Sequence, residues 1–358
     1  MNVFHRLGMA VVCTCLIACT PESVQPDTPS WQLDWLIPLD EIVDGGVGKD
    51  GIEALNLPPI DPLVLGSYQA DEEHVLGIEL NGQARAYPVK MLDWHEIIND
   101  TLAGEPISII YCPLTGTGTA WSRVIDGKVS TFGISGLLHQ SNVIPYDRET
   151  DSNWSQMRGE CVQGSQVRQM PDMYPLVMTS WGEWKRMYPE TSIISANTGY
   201  DNEYNFYPYF DYRENHLKLP FPINHDDPRV DRKVRVFGVV AAKSGPKSHS
   251  KAYPMEVFGE GVKVFQEIVG PEEVVVVGSH HRDFAIAFKP VLEGDRLVFS
   301  PVPNGGKVVM ADEEGNRWDL MGHCVSGPRT GKQLTLLEGY VGYWFAWATF
   351  HPDLFLEQ

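Results

Sequence analysis

An α+β fold rich in strand, built from two tandem copies of one unit, is expected of this chain on three grounds. Alternating apolar residues flank turn dipeptides, as in Val75 to Leu80, Asn81-Gly82 and Ala84 to Tyr87. Asn-Gly supplies the positive backbone angles of a type I′ turn and so marks a hairpin. Helix-like runs are few and short. The chain also matches itself: Val75-Leu76-Gly77-Ile78 with Val236-Phe237-Gly238-Val239, Arg85-Ala86-Tyr87-Pro88 with Lys251-Ala252-Tyr253-Pro254, and Trp154 through Cys161 with Trp318 through Cys324. A W-x-x-W-x-x-x-x-P run, Trp181, Trp184 and Pro189, returns as Trp344, Trp347 and Pro352. The matches stay in order at offsets of 161 to 166 residues, which points to internal repetition.

The N-terminus is basic and then apolar from Leu7 to Ala18, too short a run to persist as a membrane-spanning helix. Residues 1–18 read as a signal peptide. The run Leu16-Ile17-Ala18-Cys19 looks like a bacterial lipobox, in which cleavage precedes the cysteine and acyl chains are attached to it. The expectation is a lipoprotein held in a lipid bilayer through acylated Cys19; the alternatives are a plain secretory signal or an uncleaved anchor. Thr20, with no Asp in the next position, resembles the outer-membrane sorting pattern, facing the periplasm. Residues 19–43 form the tether and lead-in, rich in Pro, Ser and Thr from Thr20 to Ser30.

Lys and Arg number 28 against 47 Asp and Glu, a formal charge of -19, so the chain repels phosphate backbones and nucleic acid is excluded as a partner. The first unit, 44–195, opens with a glycine-rich stretch, Asp44 to Gly51. Asp follows Lys49 where a phosphate loop needs Ser or Thr, so this stretch is a turn. The Asn-Gly hairpin leads to a helix-like segment, Val89 to Ile98, and to the strand Ile107 to Tyr111. A second hairpin turns at Asp126-Gly127, and Trp181 to Met187 closes the unit as a short amphipathic helix. The aromatic segment 196–230 is expected to pack over the units as an ordered loop. The second unit spans 231–358.

The chemistry-bearing residues cluster in the first unit. Cys112 stands where a strand breaks at Pro113, and His95 and Glu96 end the helix-like run before it. Aligning Glu96 with Glu267 sets His95 opposite Gln266; aligning Ile107–Ile110 with Val274–Val277 sets Cys112 opposite Ser279. The second copy thus keeps the framework and loses the thiol and imidazole. A thiol at its ordinary pKa of about 8.5 is a few per cent ionised near neutrality, so a nucleophilic Cys112 needs a cationic or helix-end neighbour; an inert buried cysteine is the other reading. His95 serves as base or co-ligand, with Glu96 orienting its ring, or makes a structural hydrogen bond. Cys112, His95 and His139 together would suit a soft transition metal, copper or zinc. Cys161 and Cys324 occupy equivalent places and are expected as two separate buried thiols.

The blocks Ala86-Tyr87-Pro88, Trp94-His95-Glu96-Ile97-Ile98-Asn99-Asp100, Tyr111-Cys112-Pro113-Leu114, Thr131 to Leu138, Tyr146-Asp147-Arg148 and Trp154-Ser155-Gln156 resemble the bacterial domain of unknown function (DUF) 3179 family. The resemblance runs from about Gly45 to the C-terminus and implies membership without an activity. The family pattern is C-P-L-C-G-T; here Thr115 replaces the second cysteine, so a redox-cycling or metal-gripping cysteine pair is not present. Two functions follow as expectations: thiol- or metal-dependent chemistry at a Cys/His site of an uncharacterised envelope lipoprotein, or a non-enzymatic ligand-binding or scaffold protein of the envelope.

Overall fold

The computed structural model describes residues 35–62, 68–244 and 247–357. Cys19 and its tether lie outside the described residues. Strand accounts for 44% of the chain and helix for 9%, so the strand-rich expectation holds and the α+β label is corrected. Among the described residues the three α-helices, α1 (Val89–His95), α2 (Trp181–Met187) and α3 (Trp344–Phe350), are seven-residue caps on sheets rather than a layer. The helix expected over Val89 to Ile98 ends at His95, since the β-branched Ile97 and Ile98 favour strand. The chain leaves the helix through Glu96, which adopts φ 56°, and Ile97–Leu102 is a strand.

Six larger sheets form a six-bladed β-propeller arrangement, three from each half of the sequence, with two small hairpins between them. In the first half, His74–Leu80 and Gln83–Pro88 pair around Asn81-Gly82, both at positive φ as the turn requires. Val177–Ser180 joins one edge antiparallel and Ser192–Ile194 joins the other edge parallel. In the second half, Arg235–Ser244 and Lys247–Pro254 are flanked in the same senses by Glu338–Tyr343 and Phe355–Leu356. The sheet Ile97–Leu102, Glu105–Cys112, Thr117–Ser122 has its match in Lys263–Val269, Glu272–Ser279, Phe284–Phe288. Phe132–His139, Asn142–Asp147, Asn153–Ser155 and Glu160–Gln163 match Phe299–Pro301, Val308–Asp312, Arg317–Asp319 and Cys324–Ser326.

The matched residues do matched work. Tyr87 and Arg85 both donate to Asp100 (2.7 and 2.6 Å), and Tyr253 and Lys251 donate to Glu267 (2.6 and 2.5 Å). The indole of Trp154 donates to Asp147 and that of Trp318 to Asp312, each at 2.9 Å. Gly77 lies against the Trp184 ring and Gly238 against Trp347, where a Cβ would come within 2.3 and 2.2 Å. The helix tryptophans are buried anchors, packed where only glycine leaves room.

The halves nevertheless do not pack as two separate units. Each of the three large core clusters draws side chains from both: Leu76 and Ile109 with Phe237 and Val276, Trp121 and Trp154 with Trp344 and Trp347, Trp181 and Trp184 with Trp318 and Phe288. Residues 34–358 form one compact unit.

Candidate functional site

Where α1 stops, the Glu96 amide still bonds the Leu92 carbonyl, and the Glu96 carbonyl accepts the Tyr111 amide at 2.7 Å. These two bonds hold the residue in the left-handed region, which costs a non-glycine residue on the order of 1 kcal/mol. The side chain reaches a cavity of about 350 Å³ walled by Ile97, Leu114, Ile134, Val143, Tyr209 and Tyr212. Among the described residues nothing hydrogen-bonds its carboxyl, and burial pushes the acid up to about 8. Glu96 is therefore protonated at neutral pH, a hydrogen-bond donor set in a hydrocarbon wall. The segment 196–230 supplies Pro208, Tyr209, Tyr212 and Phe221 to this cavity, and the Tyr212 hydroxyl donates to the Leu114 carbonyl at 2.7 Å.

Cys112 ends its strand opposite Thr117 and is fully buried. Burial first, and the charge of Glu96 second, push the thiol up to about 11, against the pull of the Thr115 hydroxyl and the Thr115 and Val143 amides. At pH 7 the thiolate fraction is about one in ten thousand, too low for a nucleophile without a change of surroundings. The register sets Cys112 at the place that Ser279 takes in the second half, as expected from the sequence.

Beside the thiol lies a buried polar knot. Thr115 and Thr117 share a hydrogen bond of 2.8 Å, Thr117 donates to Gln156 at 2.8 Å, and the Asn142 amide donates to Gln156 at 2.8 Å and Thr115 at 3.0 Å. Gln156 in turn donates to the Ile110 carbonyl at 2.8 Å. Thr115 thus adjoins Cys112 and is tied into this network. Asn142 and Gln156 were not singled out from the sequence. Polar residues matched to hydrophobic ones in the other copy are the signal that finds them: Thr117 corresponds to Phe284 and Gln156 to Leu320.

The histidines stand elsewhere. One His95 ring nitrogen bonds the Glu53 carbonyl (2.7 Å) and the other the Tyr204 hydroxyl (2.8 Å), and burial lowers its pKa. Both nitrogens are occupied, so neither Glu96 nor Cys112 is the ring's hydrogen-bond partner here. The strand pairing also corrects the alignment. Ile97–Leu102 superposes in register on strand Lys263–Val269, which sets Asp100 against Glu267, Asn99 against Gln266, and His95 against apolar Val262. Asn99 and Gln266 confirm the match, each bonding the backbone of the neighbouring sheet at Phe132 and Phe299.

His139 bonds Glu41 at 3.0 Å and lies edge-on to Phe350, and burial lowers its pKa against the pull of Glu41; its Nδ1 has no partner among the described residues. Cys112, His95 and His139 do not converge as a ligand set. Cys161 and Cys324 are separate free buried thiols. No helix among the described residues is long and apolar enough to cross a membrane.

The family model described as "Protein of unknown function (DUF3179)" matches residues 49–354, and the chain belongs to this family. No curated protein and no solved structure matches the chain.

Proposed function

We propose that this member of the family is a ligand-binding protein of the cell envelope, anchored through acylated Cys19, that holds a small apolar molecule in the cavity above Glu96. The observation that carries the reading is a roomy hydrocarbon chamber with one unpartnered acid in its wall. An unsatisfied buried carboxyl costs on the order of 1–3 kcal/mol, which a ligand with one hydrogen-bond acceptor recovers. Specific pockets pair apolar walls with a few polar groups in this way. The walls come from both ends of the first unit and from the aromatic connector, consistent with a duplicated framework of which one copy was specialised.

A neutral apolar fluorophore, N-phenyl-1-naphthylamine, tests the reading. The full chain binds it saturably at one site, and Ile134→Trp, which fills the cavity, abolishes the binding. Binding that is unsaturable or indifferent to Ile134→Trp refutes it. A second reading, thiol- or metal-dependent chemistry at Cys112, is favoured by the polar knot confined to that thiol's surroundings. It requires alkylation of Cys112 in the folded chain at a rate comparable with a free thiol; protection until unfolding removes it.

A further inference from the structure

Glu79, on the first hairpin, meets Asp319, at the end of strand Arg317–Asp319, and His323, in the turn before strand Cys324–Ser326. One ligand atom from each lies within 4.8 Å of the other two. His323 Nδ1 is 3.5 Å from Glu79 Oε2 and 3.5 Å from Asp319 Oδ1. Those separations are longer than the charge-assisted hydrogen bonds that the protein makes at other buried pairs, such as Arg85 with Asp100 at 2.6 Å. They match another geometry: ligand atoms about 2.1 Å from a tetrahedral ion stand about 3.4 Å apart.

Asp319 Oδ1 accepts from the amides of Met321 (3.0 Å) and His323 (2.9 Å), and Glu79 Oε1 accepts from the amide of Gly82 (2.6 Å), so both carboxylates are fixed in place. Such backbone bonds fix ligands before an ion arrives. A second observation is independent of the cluster. Tyr188, stacked on Trp184 and 6% exposed, has a buried hydroxyl with no hydrogen-bond partner among the described residues. Its ring lies 5.6 Å from the Lys307 ammonium, which is itself 3.6 Å from Asp319. A water on a bound ion would give that hydroxyl its missing partner.

We infer that Glu79, Asp319 and His323 form a binding site for a divalent transition cation of the zinc class, clamping the first hairpin to the last sheet. One imidazole and two carboxylates suit such an ion better than calcium or magnesium, which take all-oxygen shells. Lys307, whose ammonium lies 3.6 Å from Asp319, is the chain's own competing cation and is exposed enough to swing aside. The site is independent of the cavity above Glu96.

The test is zinc titration of the chelator-treated full chain by calorimetry, with melting followed in parallel. One equivalent binds and raises Tm, since an ion held only by the folded state stabilises it. Glu79→Gln and His323→Ala, melting near the parent in EDTA, lose the binding and the shift. Tyr188→Phe weakens it about tenfold, as outer-shell partners do. Lys307→Met tightens it, and this variant decides the matter should the ligand variants fail to fold. A Kd above about 1 mM, affinity unchanged in the folded ligand variants, affinity unmoved or weakened by Lys307→Met, or binding lost only in Cys112→Ser, overturns the inference.

Discussion

Thr117 and Gln156 in the first half occupy the same places in their sheets as Phe284 and Leu320 in the second, inside frameworks whose strand orders coincide. One half buries a network of amides and hydroxyls there; the other buries hydrocarbon. Around this difference the supporting contacts are duplicated: tyrosine and cation on a carboxylate, indole on an aspartate, glycine under a tryptophan. The comparison separates what the fold requires from what one half added. Glu96 belongs to the additions, since its counterpart Lys263 is exposed.

The largest expected effect falls on the shared framework. Gly77→Ala and Gly238→Ala each drive a Cβ into an indole and cost about 3 kcal/mol in urea unfolding. A cost at one glycine only breaks the equivalence of the halves. The next effect sharpens the difference between them. Gln156→Leu takes one hydrogen bond each from Asn142, Thr117 and the Ile110 carbonyl and costs about 2 kcal/mol, and Leu320→Gln buries an unpaired amide at a similar cost. Tolerance of either swap shows that the polar knot is not specific to its half.

Glu96 gives a pH signature. Its ordinary value of 4.5 is raised to about 8 in the folded chain. Below 4.5 both states hold the proton; between 4.5 and 8 only the folded state does. Its contribution to stability is therefore full at acid pH and falls as pH rises, by up to about 1.4 kcal/mol per unit, levelling above about 8. Glu96→Gln flattens that slope in a series of melts from pH 5 to about 8, and an unchanged slope contradicts the burial of this acid. The smallest effect is at the thiol: Cys112→Ala costs about 1 kcal/mol, a small cavity, without altering ligand binding.

Much of the framework was legible. The Asn81-Gly82 and Asp126-Gly127 turns, the span of α2 and the tryptophan anchors all follow from local residue chemistry. His95 falls opposite Gln266 only when the like residues Glu96 and Glu267 are aligned, four residues out of register; strand pairing sets Glu267 against Asp100 and His95 against Val262. The cavity was not legible, since Ile52, Ile134, Val143 and Tyr209 meet across distances in sequence that no local pattern reports. Nor was the closed ring, which depends on how six sheets share three cores.

The most direct test of the ligand site is a crystal of the protein soaked with 4-bromobenzyl alcohol, read by the anomalous signal of bromine. The account predicts one bromine site among Ile134, Val143 and Tyr209, with the alcohol oxygen about 2.6–3.0 Å from the Glu96 carboxyl. Bromine bound elsewhere, or a chamber that stays closed to the compound while Glu96 finds a protein partner, contradicts it.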